Sequence, residues 1–154
     1  MKKQLDATAA AEQERVQAEK KKQQVVAEKK RQTPSGKRDK YFQKLHQIEA
    51  SLSDLDYLIK DGVTSDLIEA ESERYERWDD ALNEIYGVLK TQLSESEMNA
   101  LREKQRSWIA YRDRTANAER VKFEGGSAAP LAYLGTMATL TEERCYELVE
   151  GYMR

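Results

Sequence analysis

The chain has 154 residues, 35% of them charged, with only seven glycines and two prolines. So few turn residues exclude a β-sandwich and favour long helices. The net charge of −2 hides an asymmetry, because residues 1–40 carry 12 Lys and Arg against 6 Asp and Glu, whereas residues 41–154 carry 14 against 22. A leader of net +6 thus precedes a domain of net −8, and the two halves suit different partners.

A single cysteine, Cys145, rules out an intrachain disulfide. No run of about 18 apolar residues exists to span a membrane. Met1-Lys2-Lys3-Gln4 has the charges of a signal peptide but no apolar core after them. The expectation is that the protein is not exported, or that its export signal lies outside this chain.

Residues 5–32 are rich in Ala, Gln, Glu and Lys, all strong helix formers. Their apolar anchors are few, chiefly Val16, Val25 and Val26, and no heptad seam recurs. The segment reads as a solvated helix or a disordered linker. A nucleic-acid or membrane-surface patch is the sharper alternative, but no aromatics are interleaved for stacking, and Glu12, Glu14, Glu19 and Glu28 dilute the charge. Thr33-Pro34-Ser35-Gly36 breaks the helix and divides a basic tether (1–36) from a domain (37–154).

The first domain helix is expected from Arg38 to Lys60, with Phe42, Leu45, Ile48, Leu52, Leu55 and Ile59 on one face. Asp61-Gly62 ends it. The second runs from about Asp66 to Leu93, with Thr64, Ser65 and Asp66 as candidate N-caps. Its stripe is Ile68, Tyr75, Trp78, Leu82, Ile85 and Leu89, interrupted at Glu71. The third spans about Glu95 to Phe123 behind a capping box of Ser94 and Glu97. Its stripe, Met98, Leu101, Gln105, Trp108, Arg112, Thr115 and Glu119, places Gln105 and Arg112 where apolar residues belong. Such heads destabilise the fold unless they find partners.

Gly125-Gly126-Ser127-Ala128-Ala129-Pro130 then forms a sharp turn, with Ser127 as a cap for the last helical segment. That segment, Leu131–Met153, is one helix, or a pair divided by a cap at Thr139-Leu140-Thr141-Glu142. Leu131, Leu134, Ala138, Thr141, Cys145, Leu148 and Tyr152 share its face. The fold class is all-α: a three- to four-helix antiparallel bundle with a charged N-terminal extension, its short loops making consecutive helices neighbours.

The chemistry is sparse. His46 is the sole histidine, which excludes the di-iron and zinc-protease motifs and reads as a helix-face residue. Cys145 reads as an inert core thiol. The pairs Asp79-Asp80 and Glu142-Glu143 point about 100° apart on a helix, so they read as solvated faces. Nothing implies catalysis, a metal or a cofactor. Two features leave alternatives open. Gly125, Gly126 and Ser127 form either a tight turn or a partner-recognition loop. Asn83, Gln105, Arg112, Asp113, Thr141 and Arg144 lie on helix seams, either as one satisfied structural network or as a ligand site.

Four runs carry a resemblance: Trp78–Tyr86 to an "Asp-x-x-Leu-Asn-x-x-Tyr" helix, Gln105–Asp113 to "Gln-Arg-x-Trp-x-x-x-Arg-Asp", Gly125-Gly126-Ser127 to a "Gly-Gly-Ser" loop, and Leu140–Arg144 to "Leu-Thr-x-x-Arg". In this order and spacing, over residues 74–152, the chain resembles the LprI-like lysozyme-inhibitor family of bacterial envelope proteins. Many members carry cysteines at places that align with Ala116 and Thr136, so the resemblance is to the cysteine-free, Gram-positive type, often lipoproteins. It implies a non-catalytic, extracytoplasmic protein, tethered or secreted, that binds and inhibits lysozyme, with residues 1–40 as spacer and Met1 an artificial start. An envelope interaction module with another protein or cell-wall partner is the alternative, and a cytosolic adaptor that binds nucleic acid through residues 1–40 is a further competitor. The loop Gly125-Gly126-Ser127 is the favoured inhibitory element, because a narrow glycine turn fits a cleft.

Overall fold

A computed structural model of the chain describes residues 13–22 and 36–154. Residues 13–22 form an exposed helical stretch, with Val16 outward and the Lys22 ammonium 5.8 Å from the Tyr146 ring centre. Val25, Val26, the Thr33-Pro34-Ser35 break and the remainder of the proposed tether lie outside the described residues.

The domain comprises α1 (Lys37–Ser51), a 3₁₀ turn (Leu52–Leu55), α2 (Asp56–Ile59), α3 (Thr64–Gln92), α4 (Glu95–Lys122) and α5 (Ala128–Tyr152). It is an all-α bundle in which successive long helices run in opposite directions. Contacts between Arg74 and Gly135, Trp78 and Cys145, and Gln92 and Arg154 show α3 and α5 lying parallel. Gln105 with Arg144 and Arg112 with Thr141 show α4 antiparallel to α5. Tyr41 with Glu84 and Arg77 with Asp54 set the opposite direction of the α1 segment along α3.

The single helix expected over Arg38–Lys60 is broken. Its middle tightens to a 3₁₀ turn at Leu52–Leu55. At three residues per turn, positions 52 and 55 eclipse one another, and this shifts the phase of the α-helical turn that follows. Leu55 and Leu58 are therefore buried, with Leu52 and Ala70 beside them, while Ile59 is 49% exposed rather than inward as the 3.6-residue pattern predicts.

Helix α3 starts at Thr64, and none of Thr64, Ser65 and Asp66 caps it: the N-cap is Val63, with no side-chain bond. Helix α4 starts on the expected capping box. The Glu97 N–H donates to Ser94 Oγ, and the Ser94 N–H to Glu97 Oε1, both at 3.1 Å. Such a cap is worth about 1 kcal/mol. Helix α5 is unbroken from Ala128 to Tyr152. No cap divides it at Thr139, which lies within the helix and accepts from Arg74 Nη2 at 3.2 Å. Ser127 forms no capping bond either.

Trp78, Leu82, Ile85 and Leu89 of α3 meet Tyr41, Phe42 and Leu45 of α1, Met98 and Leu101 of α4, and Cys145, Leu148 and Val149 of α5 in one core. The neighbour relations differ from those that loop length suggests. Helix α5 packs along both α3 and α4, whereas α3 and α4, joined by only Leu93 and Ser94, hardly approach each other. The last helix is wedged between them. Their splay leaves a groove.

Candidate functional site

The groove between α3 and α4 has a volume of about 280 Å³. Its α3 wall is Asp79, Leu82, Asn83 and Tyr86. Its α4 wall is Arg102, Gln105, Arg106, Ile109 and Arg112. Stripe positions become groove positions because Gln105 and Arg112 sit one and three helical turns beyond Leu101, where α4 leans onto α5.

Both buried heads find partners across the α4–α5 seam. Arg112 is 9% exposed and donates from Nη1 to Thr141 Oγ1 at 3.4 Å and from Nε to Asp113 Oδ1 at 3.1 Å. Gln105, 8% exposed, accepts from Arg144 Nε at 3.0 Å, and Arg144 also donates to Glu147 at 3.0 Å. The indole of Trp108 lies between the two cations, 5.0 Å from the Arg112 guanidinium and 5.8 Å from that of Arg144. Tyr75 meets Arg112 at 5.9 Å. Each cation–π contact of this kind is worth about 0.5–2 kcal/mol. Of the six seam residues, five join this arrangement. Asn83 does not: it is exposed on the α3 wall of the groove and bonds to none of the others.

Gly125, Gly126 and Ser127 lie elsewhere, in the connection from α4 to α5. All are exposed, as are Val121 and Phe123 at 48% and 47%. Gly125 has φ +85°, a region that favours glycine. The turn closes through Gly126 N–H to Phe123 O at 3.0 Å, and a Cβ at Gly126 would stand 3.3 Å from that same oxygen. The backbone thus favours glycine at 125, and a side chain at 126 would crowd the narrow turn.

A third cluster was not singled out from the residue pattern. Glu142 is not on a solvated face: it is partly buried, opposite Glu49 of α1, with Arg74 of α3 at 3.8 Å. Burial, then Glu49, pushes its carboxyl up to about 7. Arg74 also pairs with Glu71 at 2.9 Å and donates to Gly135 O at 3.1 Å. The polar interruption at Glu71 was the one visible signal of this cluster. Beside it Tyr146 stacks among Phe42, His46 and Trp78, and burial raises its phenol. His46 is exposed, 3.7 Å from Glu49. Cys145 is fully buried with Sγ 3.5 Å from Trp78 O, and burial pushes its thiol far above the usual range.

A family model described as lysozyme inhibitor LprI matches residues 59–148. The chain belongs to this family. The matched LprI stretch takes in α3, α4, the glycine turn and most of α5, and so both the groove and the tip. The family's description is that of an inhibitor. An uncharacterized protein of Rhizobium meliloti (strain 1021) is 40% identical over 53 residues, 34% of this chain and 38% of that protein. The match therefore spans well under half of that relative's length. No solved structure matches. The cysteine-free label fails, since this LprI chain carries Cys145 in its core. Among the described residues no helix is long and apolar enough to cross a membrane.

Proposed function

We propose that this LprI domain binds lysozyme outside the cytoplasm and inhibits it by inserting the turn Phe123–Ser127 into the substrate cleft. The family match over residues 59–148 carries the reading. Two features of the fold support it. Helix α3 holds eight acidic and three basic side chains, and α4 holds five and seven, so the acidic excess is concentrated away from α4. Animal lysozymes are basic, and such a surface accelerates their encounter. The tip is exposed, apolar at Phe123, and held narrow by Gly125 and Gly126. In this reading residues 1–36 are a spacer.

Calorimetry of the full chain with a basic animal lysozyme, beside a turnover assay, tests the proposal. The expected result is micromolar or tighter binding at low salt that weakens as salt rises, with loss of lysozyme activity. Phe123→Ala should weaken inhibition about tenfold, the usual scale for an aromatic anchor, and leave stability unchanged. Absence of binding at low salt would sink the inhibitor reading. Full inhibition by the Phe123 variant would move the contact off the tip. The α3–α4 groove favours a second reading, an envelope module for a cell-wall or peptide partner.

A further inference from the structure

The groove between α3 and α4 divides its chemistry by wall. Arginine has only donors, so the Gln105 atom 3.0 Å from Arg144 Nε must be the carbonyl oxygen. The Gln105 amide N–H groups are thereby left free, with no partner among the described residues. Arg112 is in the same position. Its Nε and Nη1 are engaged by Asp113 and Thr141, and Nη2 has no partner among the described residues. The floor from α4 therefore offers donors alone. Arg106 extends that character to the rim, held only by Glu103 on its own helix at 3.1 Å. The opposite wall supplies acceptor oxygens: the carboxylate of Asp79, which forms no ion pair among the described residues, and the amide carbonyl of Asn83, which has no bonding partner among them. Leu82 and Ile109 supply apolar surface between the two.

We propose that this groove binds the carboxylate end of an acylated amino acid or short peptide. The planar carboxylate meets the Arg112 and Gln105 donors, a geometry that guanidinium matches better than a point charge does. The adjacent backbone N–H donates to Asp79 or Asn83, and an apolar terminal side chain lies on Leu82 and Ile109. A volume of about 280 Å³ admits one or two residues, not a folded partner. The proposal is independent of the lysozyme reading, which uses the tip on the far side of α4's C-terminus.

The test is titration of the full chain with N-acetyl-alanyl-leucine, followed by amide NMR shifts and calorimetry, with no lysozyme present. Further arms use the same dipeptide as its C-terminal amide, and inorganic phosphate. The acid is expected to bind with Kd of about 0.1–1 mM, the range open to so small a ligand. Shifts should centre on Asn83, Gln105 and Arg112, and the amide should bind about tenfold more weakly. Arg106→Gln and Asn83→Asp change exposed residues and should preserve the melting temperature. They should weaken the acid about threefold and about tenfold, the second by setting a like charge beside the ligand. Equal binding of acid and amide, saturation of the same residues by phosphate at equal affinity, or no shift at about 10 mM acid would each overturn the proposal.

Discussion

Replacing Glu142 by Gln should stabilise the protein at pH 8 and leave it nearly unchanged at pH 4.5. The carboxyl is faced by Glu49 from α1, Glu143 and Tyr146 from its own helix, and Arg74 from α3. Its proton is held up to about 7, against an ordinary value of 4.5, by burial first and by Glu49 second, with Arg74 pulling the other way. The folded state thus binds a proton that the unfolded state has released. Stability is fully present below about pH 4.5 and falls as pH climbs towards 7. A fully expressed shift of that size corresponds to about 3 kcal/mol, and sharing of the charge with Glu49 and residual solvent reduce it to about 1–2 kcal/mol. Gln cannot ionise and nearly copies the protonated acid, so the variant should lack this loss. Thermal melting of both proteins from pH 4.5 to 8.5 would show it. A gain of about 3–8 °C for the variant at pH 8 and under about 1 °C at pH 4.5 is expected. An equal shift at both pH values, or a variant less stable at pH 8 because Arg74 has lost its second anion, would refute the argument.

Packing sets two further outcomes. Leu58→Ala should cost about 2–3 kcal/mol and Ile59→Ala under about 0.5, measured by denaturant unfolding, because the 3₁₀ turn buries the first and exposes the second. Equal costs would mean that the segment is a plain α-helix. Cys145 should resist alkylation in the folded protein and react only at the rate of unfolding, since it is fully buried and its thiol is pushed up by burial. Labelling within minutes under native conditions, read by mass spectrometry, would contradict its place in the core.

The features legible in the sequence were mainly local. Ser94 and Glu97 announce the start of α4 by chemistry confined to four residues, and the structure forms both bonds. The apolar spacing from Trp78 to Leu89 marks the inner face of α3 for the same reason. The 3₁₀ turn was hidden because Leu52-Ser53-Asp54-Leu55 suits either helix, and the choice is made where Leu58 packs beside Leu55 and Ala70. Candidate caps at Thr64 and Ser127 failed similarly: the residue type permits the bond, and only the entering chain decides whether the hydroxyl reaches an N–H.

The groove was half visible. Gln105 and Arg112 declared themselves by breaking an apolar stripe, and both meet residues of α5 nearly thirty or more positions away. The residue pattern could not show that α5 separates α3 from α4. A two-residue connection ordinarily implies close neighbours, and on that premise the polar seam would be wholly internal. Once α5 is wedged in, one side of the seam is satisfied by Thr141 and Arg144 and the other opens to solvent. The same side chains then do two things: their bonds to α5 fix the register of α4, and both line the groove. A variant that removes the α5 partner, such as Arg144→Met, would therefore alter both stability and groove chemistry, whereas Arg106→Gln gives up only an exposed pair with Glu103 and leaves the seam intact.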